Sequence, residues 1–594
     1  MEVNRLFEIP EYQLATYPQE VALAGMAGSE WKSYSTAEML ACIDQVSKGL
    51  LALGIAPGDK IAIIANNRPE WNFTDLGALR VGAVIVPIYP TISEQEYSYI
   101  FNHAEVRMAF VSDESLLAKV QSIRDQVSSL QEIYTFDRIE GAPHWTRVID
   151  AGREIPDSAV KERIDAIGKD DLATIIYTSG TTGTPKGVML SHDNLLSNVK
   201  SVTTVLPITQ EHRVLSFLPL CHIFERMVSY VYMCMGASIY YGESMEPAVL
   251  RQRMVEVKPH FFTTVPRLLE KVYEAIFARG FEMRGIRRAL FFWALDLGLR
   301  FQVDKDMGAW YRFRLSIARR LVFSKWREAL GGELIGIVTG AAALPAKLCK
   351  VFSAAGIAVR EGYGQTESAP VITLNRFEPG GAREGSVGIP IPGVEVRIAE
   401  NGEICARGPN IMLGYYKNPE ATAHTIDAEG WLHTGDVGKI VEGKFLVITD
   451  RIKELFKTSG GKYVAPQPIE NRFKESFFIE QMMVVGENQK FVSALIVPAF
   501  PYLENWCREQ GIPYSARQVM LAHPKVIARY QEICDDYNRE FSKIEQVKQF
   551  ALISHEWTVN GGEMTSTLKL KRRVILQKYQ AYIDQVYARE MPLL

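Results

Sequence analysis

The sequence comprises 594 residues, of which 47% are hydrophobic and 23% are charged, and its formal net charge is −3. This composition excludes an intrinsically disordered chain and a disulfide scaffold, and the length predicts two or more domains. A net charge so near zero argues against general nucleic-acid binding, so no nucleic-acid partner is expected. The seven cysteines are scattered without a CxxC pair, which predicts reduced thiols and no zinc site.

The N-terminus has no apolar core of signal-peptide length, and no run of about eighteen or more apolar residues follows it. We therefore expect a cytoplasmic protein whose contact with the inner face of a membrane, if any, is peripheral. A monomer or a homodimer is expected.

The first predicted helix begins at a capping box formed by Ser35 and Glu38. A buried strand at 60–65, a short helix and a second strand at 83–86 follow, which is the spacing of a βαβ unit. A mainly parallel sheet covered by helices is therefore expected. Further strands of the same kind are predicted at 108–111, 173–176 and 334–338.

The pattern changes twice in the second half of the chain. Residues about 266–332 are predicted to be helical and are rich in arginine and aromatic residues, which fits either a membrane-surface element or an ordinary surface subdomain. Short strands separated by Gly, Pro and Asn predict a β-rich subdomain at about 387–449, and an α+β pattern begins at Asp450. We expect an α/β fold with a large N-terminal domain (1–449) and a small, mobile α+β C-terminal domain (450–594).

The most informative segment is the loop at 177–187, Tyr-Thr-Ser-Gly-Thr-Thr-Gly-Thr-Pro-Lys-Gly. Its glycines allow backbone N–H groups to approach an anion closely, while its hydroxyls and Lys186 add side-chain donors and a positive charge. The loop is not a Walker A motif, because Lys186 is followed by Gly187 and the glycine spacing differs. It predicts a site for nucleotide phosphates, and a flexible turn without a ligand is the alternative.

This loop resembles the signature of the adenylate-forming (AMP-binding) superfamily. Later segments look like the later motifs of that family, in the family's order, and together they cover roughly residues 30–580. The segment at 265–273 is similar to the long-chain fatty acyl-CoA synthetase branch. The other matching segments are 217–226 (FLPLCHIFER), 362–368 (GYGQTES), 430–436 (GWLHTGD), 450–453 (DRIK) and 567–572 (TLKLKR).

The resemblance implies a two-step reaction. A fatty acid carboxylate attacks the α-phosphorus of ATP and releases pyrophosphate, and the thiol of CoA then attacks the acyl-adenylate. ATP, Mg²⁺ and CoA are therefore the expected cofactor and co-substrates, with a long-chain fatty acid as the acid. The sequence contains no Gly-x-Ser-x-Gly elbow and no HExxH helix, which agrees with a reaction that uses no enzyme nucleophile.

The resemblance also implies roles for individual nucleotide-binding residues. Tyr363 would stack on adenine, Thr366 would bond the α-phosphate, and Glu367 would coordinate Mg²⁺, for which one protein carboxylate suffices. Gly340 and Ala341 would form a backbone wall for adenine, unless their small size serves only close packing. The residues assigned to the β- and γ-phosphates are Thr178, Ser179, Gly180, Thr181, Thr182 and Lys186, and Gly362 completes the nucleotide-binding set.

Three charged residues carry the remaining nucleotide chemistry that the resemblance implies. Asp436 would accept hydrogen bonds from the ribose hydroxyls, although an aspartate after a glycine is also common in simple turns. Arg451 would add a ribose or phosphate contact. Lys569 would be the catalytic lysine that bridges the fatty acid carboxylate and the α-phosphate, and a solvated basic patch is its alternative.

The second half-reaction involves three further residues by the same resemblance. Asp450 would be a hinge that exchanges Lys569 for the loop of Gly461 after adenylation. Gly461 would then line the tunnel for the pantetheine arm of CoA. His222 would lie at the edge of the acyl pocket and act in catalysis, whereas a lone histidine in an apolar stretch is often an ordinary core residue.

Two other functions share these features. A fatty acyl-AMP ligase or acyl-carrier-protein synthetase uses the same adenylation half and transfers the acyl group to another thiol. A lipid-binding or uptake protein without chemistry is the non-enzymatic alternative. The presence of every charged residue required for adenylation favours an enzyme, and the intact Gly460–Gly461 segment favours CoA as the acceptor.

Overall fold

The computed structural model describes residues 2–178, 185–452, 454–513, 516–559, 561–565 and 569–588. The fold is α/β, as the sequence predicts, with two large, mainly parallel sheets covered by helices and smaller sheets toward the C-terminus. The strands in chain order are β1 Leu23–Ala27, β2 Glu30–Tyr34, β3 Lys60–Ile64, β4 Val84–Pro87, β5 Val106–Val111, β6 Glu132–Thr135, β7 Leu172–Thr178, β8 Lys186–Ser191, β9 Arg213–Ser216, β10 Ser238–Tyr241, β11 Phe261–Thr264, β12 Gly336–Thr339, β13 Ala358–Gly364, β14 Val371–Leu374, β15 Ile389–Pro390, β16 Glu395–Ile398, β17 Glu403–Arg407, β18 Gly414–Tyr415, β19 Leu432–Val441, β20 Phe445–Arg451, β21 Phe456–Lys457, β22 Tyr463–Val464, β23 Ile479–Val485, β24 Val492–Pro498 and β25 Val547–Leu552.

Helices cover the faces of these sheets. They are α1 Ile9–Thr16, α2 Thr36–Ala52, α3 Pro69–Leu79, α4 Glu94–Ala104, α5 Glu114–Ser122, α6 Thr146–Ala151, α7 Asp157–Ala166, α8 His192–Thr203, α9 Ile223–Cys234, α10 Pro247–Val257, α11 Pro266–Glu282, α12 Gly285–Arg300, α13 Ala309–Ala318, α14 Ser324–Ala329, α15 Ala346–Ala354, α16 Pro419–Thr425, α17 Pro466–Phe473, α18 Phe500–Glu509, α19 Arg517–Leu521, α20 Pro524–Asn538, α21 Arg572–Lys578 and α22 Gln580–Ala588.

The first large sheet contains the predicted βαβ unit. Its order is β18-β8-β7-β4-β3-β5-β6, and β3, α3 and β4 form the unit, with β3 and β4 parallel. The predicted capping box is also present, because the Ser35 side chain accepts from the Glu38 N–H at the start of α2. β7 and β8 form an antiparallel hairpin, and its Thr178–Lys186 end lies at the carboxyl ends of the parallel strands. That edge is where open α/β sheets bind ligands.

The second large sheet has the order β15-β14-β13-β12-β11-β9-β10-β1-β2. Its central strands β13, β12, β11, β9 and β10 run parallel, so their carboxyl ends also meet at one edge. The segment predicted to be helical at 266–332 comprises α11 to α14, with a π-helical turn at Arg319–Phe323. These helices share an apolar core with the outer face of this sheet.

Smaller sheets follow in the C-terminal third. β16, β17, β19 and β20 form an antiparallel sheet, which is the predicted β-rich region. Beyond it, β23, β24 and β25 pack with α17 to α22 around a separate apolar core that extends from Phe456 to Ile583. Asp450 lies within β20, so the predicted domain boundary falls at the end of a strand and remains a prediction.

None of the helices in the described ranges is both long enough and apolar enough to cross a membrane.

Candidate active site

A large cavity of about 2120 Å³ lies where the two parallel sheets, the β-rich sheet and the C-terminal segments meet. Residues predicted from widely separated motifs converge on it. Those that line the cavity are Thr178, Lys186, His222, Gly340, Ala341, Gly362, Tyr363, Thr366, Glu367, Asp436, Arg451 and Lys569. Ser179, Gly180, Thr181 and Thr182 lie outside the described residues.

The two ends of the loop that is predicted to bind phosphates are fixed to the sheet. Thr178 and Lys186 pair across the end of the β7–β8 hairpin. The Tyr99 hydroxyl donates to the carbonyl of Pro185 at 3.2 Å, and the Lys186 Nζ lies 4.9 Å from the centroid of the Tyr415 ring. Both flanks of the loop therefore face the cavity. The Lys186 ammonium group is held there by a cation–π contact with the Tyr415 ring.

Asp436 is the centre of a hydrogen-bonded group beside the cavity. Its Oδ2 accepts from the Tyr363 hydroxyl at 2.6 Å and from Gln365 Nε2 at 2.8 Å, while Arg451 Nε lies 3.1 Å from Oδ1. The register of β19 and β20 places Asp436 and Arg451 opposite each other. Burial and then the Asp436 charge raise the pKa of Tyr363 well above its usual range, so Tyr363 is a neutral donor. Three donors from two segments thus fix the carboxylate.

Gln365 was not among the predicted site residues. It lies inside the GYGQTES motif, but its bond to Asp436 joins positions 71 residues apart, which sequence alone does not show. The strand before this motif continues into it: β13 runs to Gly364 because Gly362 and Tyr363 pair with β14. Tyr363 is consequently held by a sheet rather than by a loop.

Glu367 and Thr366 open a short 3₁₀ turn at the cavity edge. The Tyr415 hydroxyl donates to Glu367 Oε1 at 2.8 Å. Among the described residues, Glu367 Oε2 accepts no hydrogen bond, which leaves a hard oxygen donor at the cavity surface. Such a carboxylate fits Mg²⁺, which takes one or two protein carboxylates together with phosphate oxygens. Tyr415, another residue that the motifs did not reveal, thus contacts both Lys186 and Glu367.

The wall expected for adenine is a short segment after β12. Ala341 has a backbone φ of +69°, and a Cβ on Gly340 would lie 3.3 Å from the carbonyl oxygen of Gly362. Glu361 Oε1 accepts from the N–H of Leu344 at 3.0 Å and so fixes the far end of the segment. Burial raises the pKa of Glu361 to about 8. The wall is therefore a tightly held backbone segment with little room for larger side chains.

His222 lies at the start of α9. Its Nδ1 accepts from the N–H of Phe224 at 3.2 Å, so it caps the helix as well as lining the cavity. Burial, with a smaller contribution from the Lys569 charge, lowers the pKa of His222 to about 4. A neutral imidazole therefore faces the cavity. His222 can be a buried core residue and still line the site.

Lys569 reaches the same cavity from the C-terminal segment. Burial and the charge of Arg451 lower its pKa to about 8, whereas the charges of Asp436, Glu454 and Glu367 act in the opposite direction. The ammonium group thus lies in the electrostatic field of the residues expected to bind the nucleotide. A lysine in a solvated basic patch would not be desolvated in this way.

Gly461 is the one predicted site residue in the described ranges that does not line the cavity. It is exposed in the turn between β21 and β22, where its N–H donates to the carbonyl of Thr458 at 2.9 Å. Its φ is +73°, and a Cβ at this position would meet no atom within 4 Å. The structure therefore has Lys569, and not Gly461, at the cavity.

One side of the cavity is apolar. The apolar lining comes from α8, α9, β14 and neighbouring loops, and includes Val202, Leu206, Phe224, Met227, Val228, Val371, Leu374 and Val387. Behind it, Arg226 donates to Asp75 Oδ1 at 2.5 Å and to Thr174 Oγ1 at 2.8 Å, which ties α9 to α3 and β7. This buried ion pair holds the apolar wall in place. The cavity can accommodate a molecule with one polyanionic and one apolar end.

Comparisons with known proteins agree with this geometry. Residues 10–416 match the AMP-binding enzyme family, and residues 454–591 match the AMP-binding enzyme C-terminal domain. The long-chain-fatty-acid–CoA ligase FadD15 of Mycobacterium bovis is 32% identical over 579 residues, which cover 96% of this chain and 95% of that protein. The long-chain-fatty-acid–CoA ligase 1 of Homo sapiens is 32% identical over 594 residues, which cover 94% and 82%.

A solved structure shares the fold at lower identity. ATP-bound MatB from Rhodopseudomonas palustris has a TM-score of 0.73 and 23% identity, with coverage of 98% of this chain and 99% of that chain. The chain therefore belongs to the AMP-binding enzyme family and, within it, to the branch of the long-chain-fatty-acid–CoA ligases.

Proposed function

We propose that this protein activates a long-chain fatty acid with ATP to an acyl-adenylate and then transfers the acyl group to CoA. The observation that carries the proposal is the convergence of Lys186, Glu367, Asp436 and Lys569 on a cavity whose other side is apolar. The similarity to long-chain-fatty-acid–CoA ligases over nearly the whole chain supports the choice of acid and of CoA.

In the first step, a carboxylate oxygen of the fatty acid bonds to the α-phosphorus of ATP and the bond to pyrophosphate breaks. Lys569 would stabilise the negative charge that develops between the carboxylate and the α-phosphate, and Thr366 would donate to the same phosphate. Asp436 and Arg451 would hold the ribose, and Tyr363 would stack on adenine. Mg²⁺ held by Glu367 would supply charge neutralisation on the phosphates.

In the second step, the thiolate of CoA attacks the acyl carbonyl and AMP leaves with the bonding electrons. We propose that the C-terminal part pivots at Asp450 between the steps, which removes Lys569 from the cavity and brings in the turn of Gly461. The exposed position of Gly461 is compatible with such a movement, because a Cβ there would meet no atom within 4 Å.

The proposal is tested with purified protein, palmitate, MgATP and either CoA or an acyl carrier protein. We expect ATP–pyrophosphate exchange that requires the fatty acid, followed by palmitoyl-CoA formation. Lys569→Ala should slow the exchange by about 10²-fold or more, since it removes the charge that stabilises the transition state. Acylation of the carrier protein alone would favour the acyl-carrier-protein synthetase, and absence of exchange would favour a lipid-binding protein.

We further propose a peripheral membrane contact through α13. Trp310 and Phe313 are 70% and 56% exposed, and their rings stack with centroids 5.7 Å apart. Arg312 lies beside them, is also exposed, and forms a surface ion pair with Asp306 at 2.7 Å. Exposed aromatic residues flanked by arginine suit an anionic lipid surface. Co-sedimentation with phosphatidylglycerol vesicles should be lost in the Trp310→Ala/Phe313→Ala double variant and retained in Val519→Ala, which removes a distant exposed apolar residue.

A further inference from the structure

A buried carboxylate beneath the proposed ribose site has no role in the chemistry described above. Glu403 lies at the start of β17 and is 9% exposed. Its Oε1 accepts from the N–H of Gly435 at 2.9 Å, and its Oε2 lies 3.0 Å from Nδ1 of His433. The other imidazole nitrogen, Nε2, lies 3.4 Å from Asp427 Oδ2. One carboxylate therefore bonds two residues of the strand segment that leads to Asp436.

That segment needs support because it is irregular. Gly435 has a φ of +72°, and the ladder between β17 and β19 shifts register at Glu403. Thr434 Oγ1 donates to the carbonyl of Ile404 at 2.7 Å and accepts from the Asp436 N–H at 3.2 Å. The regular ladder is interrupted here, so Glu403 supplies the acceptor that the Gly435 N–H requires.

The same turn also contacts the segment after β20. The carbonyl of Gly435 accepts from the N–H of Ile452 at 2.9 Å, next to Arg451, which pairs with Asp436. A shift of the Gly435 peptide would therefore move Asp436 and loosen the start of the C-terminal part together. Glu403 therefore holds a peptide whose small displacement would change the contact between Asp436 and the nucleotide.

A metal site is the competing interpretation of this cluster. Donor atoms of Glu403, Cys405 and His433 lie within 4.8 Å of one another. However, both carboxylate oxygens and both imidazole nitrogens already have hydrogen-bond partners, and burial raises the pKa of the Cys405 thiol, which opposes the thiolate that a metal needs. The bond to Glu403 raises the pKa of His433, which favours an imidazolium–carboxylate pair. The carboxylate and imidazole groups of this cluster thus already have hydrogen-bond partners within the protein.

We infer that Glu403, oriented by His433, is a positioning residue for the nucleotide ribose: it fixes the Gly435 peptide so that Asp436 faces the ribose hydroxyls. This inference rests on the proposed function, in particular on the role of Asp436. Its consequence is specific, because a misplaced Asp436 loses the hydrogen bonds from the ribose hydroxyls, and 2′-deoxy-ATP reports this loss since it lacks one of those hydroxyls.

The test compares KM for ATP and for 2′-deoxy-ATP in fatty-acid-dependent pyrophosphate exchange. Wild type should have a KM for ATP about tenfold lower than for 2′-deoxy-ATP, the effect of one hydrogen bond to a charged group. Glu403→Ala should abolish this discrimination, because its KM for ATP should rise about tenfold more than its KM for 2′-deoxy-ATP, and it should change kcat less than about threefold. Glu403→Gln, which keeps an oxygen acceptor for Gly435, should restore most of the discrimination.

His433→Ala tests the same idea if Glu403→Ala does not fold, and it should reduce the discrimination by about threefold. Glu395→Ala is the matched control, because Glu395 lies on neighbouring β16 in a surface ion pair with Arg407, and it should change neither KM. Equal rises in both KM values for Glu403→Ala and His433→Ala would overturn the inference. Lack of discrimination by wild type would instead refute the ribose role of Asp436.

Discussion

The ring of Phe477 stacks on the ring of Phe277, with centroids 4.3 Å apart and an interplanar angle of 12°. Phe277 belongs to α11, and Phe477 lies between α17 and β23, so the contact joins the helical segment to the C-terminal part. Close by, Lys347 Nζ donates to the carbonyls of Lys474 and Glu475 at 2.8 and 2.9 Å. This interface holds the C-terminal part in the arrangement that directs Lys569 into the cavity.

Phe477→Ala should therefore weaken the adenylation arrangement. Loss of the stacked ring removes both apolar contact and aromatic interaction, so pyrophosphate exchange should slow by about tenfold. Thioester formation from supplied acyl-adenylate and CoA should not slow, because we propose that this step uses the arrangement after the pivot at Asp450, in which Lys569 has left the cavity. Phe541→Ala is the control, since Phe541 packs against Phe473 inside the C-terminal core. If Phe477→Ala slowed both half-reactions to the same degree, the interface would have no selective role.

The depressed pKa of Lys569 predicts a pH dependence. In the proposed mechanism Lys569 acts only as an ammonium, and its pKa is lowered to about 8, so kcat/KM for adenylation should fall as pH rises through about 8. Lys569→Arg should shift this fall in kcat/KM to higher pH, because arginine remains protonated at that pH, even if the maximal rate is lower.

Glu361 provides the control for that profile, because burial raises its pKa to about 8 as well. Glu361→Gln should leave the alkaline limb where it is. A limb that disappears in Glu361→Gln and persists in Lys569→Arg would assign the titration to the adenine wall instead of the lysine. The measurement is the pH profile of initial pyrophosphate-exchange rates at low ATP.

The sequence predicted the fold class and the motif residues that line the cavity because those features are local. Hydrophobic runs identify strands such as β3 and β4, and the residue types of the motifs indicate which chemistry they serve. Asp436 and Lys569 are 133 positions apart, yet each is recognisable within its own short motif. Their convergence on one cavity was an expectation from resemblance, and the structure places them there.

The residues that sequence missed are defined by partners rather than by motifs. Tyr415 contacts Glu367 across 48 positions, and Glu403 contacts Gly435 across 32. These contacts depend on how β18 pairs with β8 and β17 with β19, and such registers cannot be read from an isolated strand. The continuation of β13 to Gly364 depends on a partner in the same way, since a glycine-rich segment is typical of a loop until a partner strand supplies its hydrogen bonds.

Gly461 should matter only for the second half-reaction. Gly461→Leu should leave pyrophosphate exchange within about threefold of wild type and reduce thioester formation by about 10²-fold, because its side chain would obstruct the pantetheine arm after the pivot. Gly443→Leu is a matched control: Gly443 also has a positive φ, +70°, and its Cβ would meet no atom within 4 Å. Equal effects of the two substitutions would show that backbone strain, and not obstruction, causes the loss.

Tyr415→Phe should weaken the magnesium dependence of adenylation. The hydroxyl donates to Glu367 Oε1 at 2.8 Å and so orients the carboxylate proposed to bind Mg²⁺. Its removal should raise the Mg²⁺ concentration for half-maximal pyrophosphate exchange by about tenfold, the usual effect of losing a partner that orients a metal ligand. The ring that lies against Lys186 is retained, so KM for ATP at saturating Mg²⁺ should stay close to wild type.

Tyr416→Phe, one residue further along, should leave the Mg²⁺ dependence unchanged. A Mg²⁺ dependence that is unaltered in Tyr415→Phe would mean that Glu367 is oriented by other contacts or does not bind the ion.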